Sequence, residues 1–219
     1  MSKFIKIGKR RMVGMIIGNI LIGLGVCLFK TSGMGNDPFS AMIMSVSELL
    51  HLSYSNFLVL FNTFIFIIEI AWGRKYIGLG TFANWFLIGF VAEFFISLSN
   101  RIFSTPQTIL EQLPFVVLGV VIISLGVSLY QTSDAGISPY DSLALIMNER
   151  ISKLPYFWCR MICDATCVLV CMLTGGLIGL GTFLCAFGLG PVIHFFNLRI
   201  SQKVIYPNYI KDTHESTSH

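Results

Sequence analysis

Charged side chains are scarce in this chain. Only 12% of its 219 residues are Asp, Glu, Lys or Arg, against 54% hydrophobic, and the mean hydropathy is +0.76. That excludes a soluble globule, because too little polar surface remains to cover one of this size. A cleavage site is missing as well. No small-residue pattern follows the first apolar run, and the residue ahead of Cys27 is Val26, which a lipoprotein cleavage box disfavours, so the run reads as an uncleaved span. No serine or cysteine nucleophile with a base can be assigned, and the four histidines are scattered, two of them (His214 and His219) in a polar tail. The chain is therefore read as no enzyme, with no cofactor and no nucleic-acid partner.

What is present is apolar length. Runs of about 18 or more residues lie at 12–29, 56–72, 82–98, 112–130, 156–173 and 182–198, each close to the ~20 residues that cross ~30 Å of hydrocarbon. The partner these imply is a lipid bilayer. Lys3, Lys6, Lys9, Arg10 and Arg11 precede the first run and hold the N-terminus in the cytoplasm. A lipid- or nucleic-acid-binding patch would be a side role for that cluster.

The chain also contains itself twice. Residues 22–96 align with 123–197 at a constant offset of 101, without a gap, and 21 of the 75 pairs are identical. One shared block runs from Ile22 to Pro38 and is matched from Ile123 to Pro139. The other is Ile77 to Phe82, with Phe86, Gly89, Val91, Phe94 and Phe95, matched by Ile178 to Phe183, Phe187, Gly190, Val192, Phe195 and Phe196. Apolar helices drift among Leu, Ile, Val and Phe, so identity in Gly, Pro, Ser and Thr marks shared backbone geometry. Duplication of this kind builds many transporter folds.

Between the first and second spans of each copy lies a shorter segment. Pro38 to Leu52 and Pro139 to Lys153 each open with proline at a helix N1 position and run about 15 residues, or ~22 Å. Asp37 and Ser138 stand where N-caps belong, with Ser40 and Asp141 in the first turn. If the short helices cross the membrane, each copy has four crossings and the copies are parallel. If they are re-entrant or interfacial, each has three and the copies are inverted. Charge in the paired loops favours inversion: Arg74 and Lys75 become Gly175 and Gly176, while His51 and Leu52 become Ser152 and Lys153 beside Arg150. The fold expected is all-α and polytopic, with inverted 3+3 repeats and 4+4 parallel repeats as the alternative. The divisions are a basic cytoplasmic N-terminus (1–11), repeat 1 (12–99), a linker (100–111), repeat 2 (112–198) and a polar cytoplasmic tail (199–219).

A helix that starts inside a membrane carries unpaired N–H groups and about half a positive charge. Two such ends facing each other would bind an anion, a carboxylate or a polar solute. Ser32, Gly35, Asn36, Asp37, Ser133, Gly136, Ser138 and Asp141 would supply the contacts. The same residues suit tight turns and caps equally well. The block Gly78 to Phe82, repeated at Gly179 to Phe183, reads as turn and packing geometry. Thr81 or Thr182 caps the next helix and Gly89 or Gly190 lets a backbone approach, whereas a phosphate loop would need a lysine after the glycine.

Ionisable groups inside spans are costly and often functional. Arg160 and Asp164, four apart, share a helix face and can pair. Glu93 and His194 occupy equivalent positions in the two copies, and Glu69 lies within reach of Arg74. A proton or ion relay through Asp164, Glu93 and His194 is one reading; a structural pair with the others snorkelling is another. Cys159, Cys163, Cys167 and Cys171 recur every four residues, spread over ~18 Å, too far to surround one metal ion. Cys163, Cys167, Cys171 and Gly175 instead form a small-residue stripe for packing, and no metal site is expected.

The segment Thr31 to Pro38, its counterpart ending Gly136 Ile137 Ser138 Pro139 Tyr140 Asp141, the duplicated Ile Gly Leu Gly Thr block, Arg160 with Asp164, and Gly190 Pro191 together resemble the YczE/YyaS/YitT group of bacterial integral membrane proteins. The resemblance covers roughly residues 12–198. It implies a multi-pass protein of a bacterial cytoplasmic membrane, with some relatives loosely called permeases. The function expected is transport of a small polar or anionic solute. The alternative is a non-transporting factor that supports a biosynthetic, export or regulatory partner.

Overall fold

Every run of apolar residues becomes a helix, because a chain in lipid must satisfy its backbone hydrogen bonds within itself. The computed structural model describes residues 8–102, 106–151 and 153–206. The helices are α1 (Lys9–Ser32), α2 (Pro38–Leu49), α3 (Tyr54–Trp72), α4 (Leu79–Ile102), α5 (Ile109–Thr132), α6 (Pro139–Arg150), α7 (Tyr156–Leu173) and α8 (Leu180–Phe196). A 3-10 turn at Arg74–Tyr76 joins α3 to α4, and a π-helical stretch, Asn197–Ser201, leads from α8 into α9 (Gln202–Ile205). No strand occurs among the described residues. Six helices are long and apolar enough to cross a membrane, and they coincide with the six runs read from the sequence. The last continues as helix through Ile205, beyond the boundary of the polar tail expected at 199. Lys3, Lys6, Ser152, His214 and His219 lie outside the described residues.

The centre of the fold is the crossing of α1 and α5. Gly18 lies against Gly126 and Tyr130, Gly25 against Ile123, and Phe29 against Gly119, so numbers rise along α1 as they fall along α5 and the two helices are antiparallel. A Cβ on Gly18 would stand 2.7 Å from the Gly126 carbonyl oxygen, and one on Gly126 the same distance from that of Gly18. Lipid offers no hydrophobic drive for helix association, so backbone contact of this closeness supplies the attraction instead. Asn84 Nδ2 donates to Asn19 Oδ1 at 3.0 Å and ties α4 to α1.

The glycine turns ahead of α2 and α6 dock across the molecule. Gly80 N–H donates to the Ala135 carbonyl at 2.7 Å, and Gly181 N–H donates to the Met34 carbonyl at 2.8 Å. Gly35 and Gly136 take φ of +93° and +123°, conformations that L side chains rarely adopt. The space beside them is taken too: a Cβ on Gly35 would meet Thr182 Oγ1 and Gly179 N, and one on Gly136 would meet Thr81 Oγ1 and Gly78 N. Each first block thus seats on the second block of the other half of the chain. Packing and turn geometry account for Gly78–Thr81, as the sequence suggested. Thr81 Oγ1 accepts from Gly78 N–H at 3.1 Å. Gly89 meets the Ser55 backbone, whereas Gly190 faces open space and brings no backbone close.

The short helices are 12 residues each, about 18 Å at 1.5 Å per residue. They begin as expected. Asp37 Oδ2 accepts from Ser40 N–H at 3.0 Å and Ser138 Oγ from Asp141 N–H at 3.2 Å, with Pro38 and Pro139 at N1. They end three residues earlier than the sequence suggested. At α2 the cause is His51, which takes φ +55° while Leu52 N–H reaches back to the Ser47 carbonyl and His51 N–H to that of Glu48. This left-handed stop normally advertises itself by glycine, and here none is present. Three of the four α7 cysteines, Cys159, Cys167 and Cys171, are buried, and the helix packs on α2 and α6. Gly175 stands outside that stripe, serving as the left-handed residue that ends α7, with φ +74°.

The crossed docking predicts a sharp steric penalty. Gly78→Val drives its side chain into the Ala135 carbonyl, and Gly179→Val does the same at Met34. Each variant should lose about 1–3 kcal/mol of stability, read as a lower midpoint of thermal aggregation in detergent. Gly188→Val, at a glycine with nothing within 4 Å, should be close to neutral.

Candidate functional site

The first turns of α2 and α6 meet inside the molecule. Phe39 and Tyr140, each one residue after the N1 proline, stack with ring centroids 4.1 Å apart and planes inclined by 14°. Beside this stack opens a cavity of about 550 Å³, within the usual range of small-molecule sites. Its polar wall carries Asp37, Ser138, Asp141, Arg160 and Asp164, and its apolar wall includes Ile22, Leu58, Ile88, Ile123 and Val127.

Arg160 organises one end. Its Nε donates to Asp164 Oδ2 at 3.3 Å and its Nη1 to Asp141 Oδ1, so one guanidinium joins α7 to the first turn of α6. The guanidinium carbon also lies 4.7 Å from the centre of the Tyr140 ring, in cation–π contact. Tyrosine hydroxyls complete the carboxylates: Tyr140 donates to Asp164 Oδ1 at 2.6 Å and Tyr130 to Asp141 Oδ2 at 2.8 Å. The Tyr130 hydroxyl in turn accepts from Ser138 N–H at 3.0 Å. The pairing of Arg160 with Asp164 was legible from their spacing. The part of Asp141 was not, because nothing in a helix-capping motif announces a partner 19 residues away.

The residues singled out from the sequence separate into two groups. Asp37, Ser138, Asp141, Arg160 and Asp164 line the cavity. Ser32, Gly35, Asn36, Ser133 and Gly136 do not; they hold the turns. Ser32 Oγ donates to the Phe29 carbonyl at 2.7 Å, Ser133 Oγ to that of Tyr130 at 2.6 Å, and Asn36 Nδ2 to that of Val26 at 3.1 Å. Glu93 and His194 are placed elsewhere: Glu93 accepts from the Ser55 hydroxyl and His194 is exposed on α8. Neither lines the cavity that holds Asp164. Glu69 does not reach Arg74. Arg74 Nε donates to the Ile70 carbonyl at 2.8 Å, and the Glu69 carboxyl is fully buried, with neither oxygen hydrogen-bonded within the described residues.

The N–H groups offered to an anion are largely answered by the chain itself. Asn36 Oδ1 takes Asp37 N–H at 2.9 Å, Asp37 takes that of Ser40, Tyr130 takes that of Ser138, and Ser138 takes that of Asp141. Asn62 and Asn84 line the cavity and were passed over in the sequence, where an asparagine inside an apolar run carries no pattern. Outside the spans, Glu149 at the end of α6 accepts from both Lys75 and Tyr76, which hold its carboxyl below the usual range and fasten α6 to the α3–α4 turn.

Six apolar helices around a largely apolar cavity with a charged patch on its wall define a multi-pass membrane protein. The chain belongs to the family described as "Family of unknown function (DUF6198)", whose profile matches residues 9–198. It is similar to an uncharacterised protein of Haemophilus influenzae, 26% identical over 180 residues that cover 80% of this chain and 78% of that one. Two Bacillus subtilis proteins are similar as well. The uncharacterised protein YyaS is 27% identical over 82% of this chain and 89% of its own, and the uncharacterised membrane protein YczE is 27% identical over 81% of each. These bear out the group named from the sequence. No solved structure matches the chain.

Removing the guanidinium alone strands two carboxylates. Arg160→Leu should cost about 3–5 kcal/mol, whereas Arg160→Leu combined with Asp141→Leu and Asp164→Leu should recover most of that loss. Thermal midpoints of the purified variants in detergent compare the two.

Proposed function

We propose that this protein is a transporter or permease for a small polar solute, built from two inverted repeats. The observation that carries the proposal is the cavity, whose polar side chains come from both halves of the chain: Asp37, Asn62 and Asn84 from the first, and Asp141, Arg160 and Asp164 from the second. A membrane factor acting only as a scaffold has no need of a polar centre, since buried polar groups in lipid are expensive unless used.

Parity supports the inversion. Antiparallel α1 and α5 require an odd number of crossings from one to the other, which α1, α3 and α4 supply if α2 turns back. The ends of α2 and α6 agree with re-entrance. Glu48, in the last turn of α2, pairs with Lys30 at the end of α1 at 3.5 Å, so the segment returns toward the side where α1 finished. Glu149 likewise brings the end of α6 to the α3–α4 turn. The contacts at offset 101 come in exchanged pairs, Gly80 with Ala135 and Gly181 with Met34, which is the behaviour of two units about a twofold axis. The basic cluster before α1 then puts both termini in the cytoplasm of a bacterial cell. In this arrangement the cavity sits where the repeats meet, and rocking one against the other would expose it to either side.

Two measurements check this reading. Single cysteines placed at Lys75 and Gly175 in a cysteine-free background should be labelled from opposite faces of the membrane; labelling from one face would refute inversion. In proteoliposomes offered a solute panel, the wild type should accumulate at least one small polar solute, with Asp164→Asn and Gly136→Leu each slowing uptake about tenfold or more. No uptake of any solute, together with normal host phenotypes for both variants, would remove the transport proposal.

A further inference from the structure

We infer that the cavity takes a small organic cation that carries a hydrogen-bonding group at its far end. This rests on the cavity being a solute site, as proposed above, and adds the chemistry of the solute. Sign comes first. The charged side chains on the wall are three carboxylates, Asp37, Asp141 and Asp164, and one guanidinium, Arg160. Even with one carboxyl protonated, the wall remains negative. Arg160 is already held by Asp141 and Asp164, and both of those also accept from tyrosine hydroxyls. Asp37 has no such partner. Its Oδ2 caps α2, accepting from Ser40 N–H at 3.0 Å, and no guanidinium or tyrosine hydroxyl bonds it among the described residues. An anion would meet this surplus of negative charge and find the helix N–H groups largely taken. A cation would complete it.

The second observation is independent of charge. Asn62 lines the cavity at 3% exposure, and its Oδ1 has no hydrogen-bond partner among the described residues. A buried amide oxygen left unanswered is costly, and a ligand hydroxyl or amine would remove that cost. Asn84 lines the same wall, already engaged with Asn19. Asn62 lies eight residues along α3 from Tyr54, about 12 Å at the helical rise. The Tyr54 hydroxyl donates to Ser40 Oγ at 3.4 Å, in the turn that Asp37 caps. Leu58 stands between them. The site therefore has a negative pole at Asp37, an amide pole at Asn62 and an apolar middle. Aromatic rings from Phe39, Tyr140, Tyr156 and Phe157 edge it, as suits a cation with a flat apolar body.

The test uses four molecules of one shape: tyramine, phenethylamine without the phenol, tyrosol with a neutral alcohol in place of the amine, and 4-hydroxyphenylacetate with an anion there. Binding to the full chain in nanodiscs is measured by calorimetry. Tyramine should bind about tenfold or more tighter than tyrosol, and 4-hydroxyphenylacetate should be weakest. Asp37→Asn keeps a capping oxygen on α2 while removing the charge. It should cut the preference for tyramine over tyrosol several-fold, through a loss of tyramine affinity larger than any change for tyrosol. Asn62→Leu should weaken tyramine and leave phenethylamine unaffected. Equal or tighter binding of the neutral or anionic probe, or no binding of either amine at millimolar concentration, would overturn the inference. Its failure is separable from that of transport. Tyramine binding without uptake of labelled tyramine sinks transport and keeps the ligand class; uptake of an anion that excludes the amine does the reverse.

Discussion

The structure depends on two backbone hydrogen bonds made across the molecule, Gly80 to Ala135 and Gly181 to Met34. Each pins a glycine turn from one half of the chain onto the start of a long helix in the other. A backbone group without a partner is costly in lipid, so non-helical segments packed among such helices persist only where protein answers them. The turns ahead of α2 and α6 are such segments. Once they are held, the first turns of the short helices can only face each other, and the stacked rings of Phe39 and Tyr140 record how closely they do.

That constraint explains why small residues, rather than large apolar ones, carry the shared sequence. Gly78 and Gly179 are required because a carbonyl oxygen of the opposite turn occupies the place of a side chain. Gly18 and Gly126 are required because α1 and α5 touch there through their backbones, while Gly25 makes room for the Ile123 side chain and Gly119 for the Phe29 ring. A frame so closely packed leaves its freedom to the side chains facing the cavity, and there the halves differ. Asn62 and Asn84 correspond at offset 101 to Cys163 and Cys185, while Arg160 and Asp164 correspond to Val59 and Thr63. The aligned halves thus present different side chains to the cavity.

The charged cluster at one end is stable for reasons that also limit it. Arg160 balances Asp141 and Asp164, two tyrosine hydroxyls complete the carboxylates, and the ring of Tyr140 covers the guanidinium. Buried charge is tolerated when it is paired and hydrogen-bonded. Asp37 is the exception on that wall: its Oδ2 caps α2, and no guanidinium or tyrosine hydroxyl bonds it among the described residues.

Six spans, two short proline-led helices with their caps, and the i,i+4 pair of Arg160 and Asp164 could all be read from the residues, because each depends on neighbours within about two helical turns. Hydrophobic length, cap chemistry and helix spacing are local properties. The early end of α2 at His51 escaped because a left-handed stop without glycine leaves no mark. The turn-holding role of Ser32, Asn36 and Ser133, the capture of Asp141 by Arg160, the burial of Glu69 away from Arg74, and the arrival of Asn62 on the cavity wall all depend on which helix faces which. That choice is made by packing between segments far apart in the chain, where a one-residue rotation of a helix turns a side chain by about 100°. The sequence by itself determined a membrane-spanning bundle and where its helices start; only the tertiary structure decided which polar groups are spent on holding the frame and which are left facing the cavity.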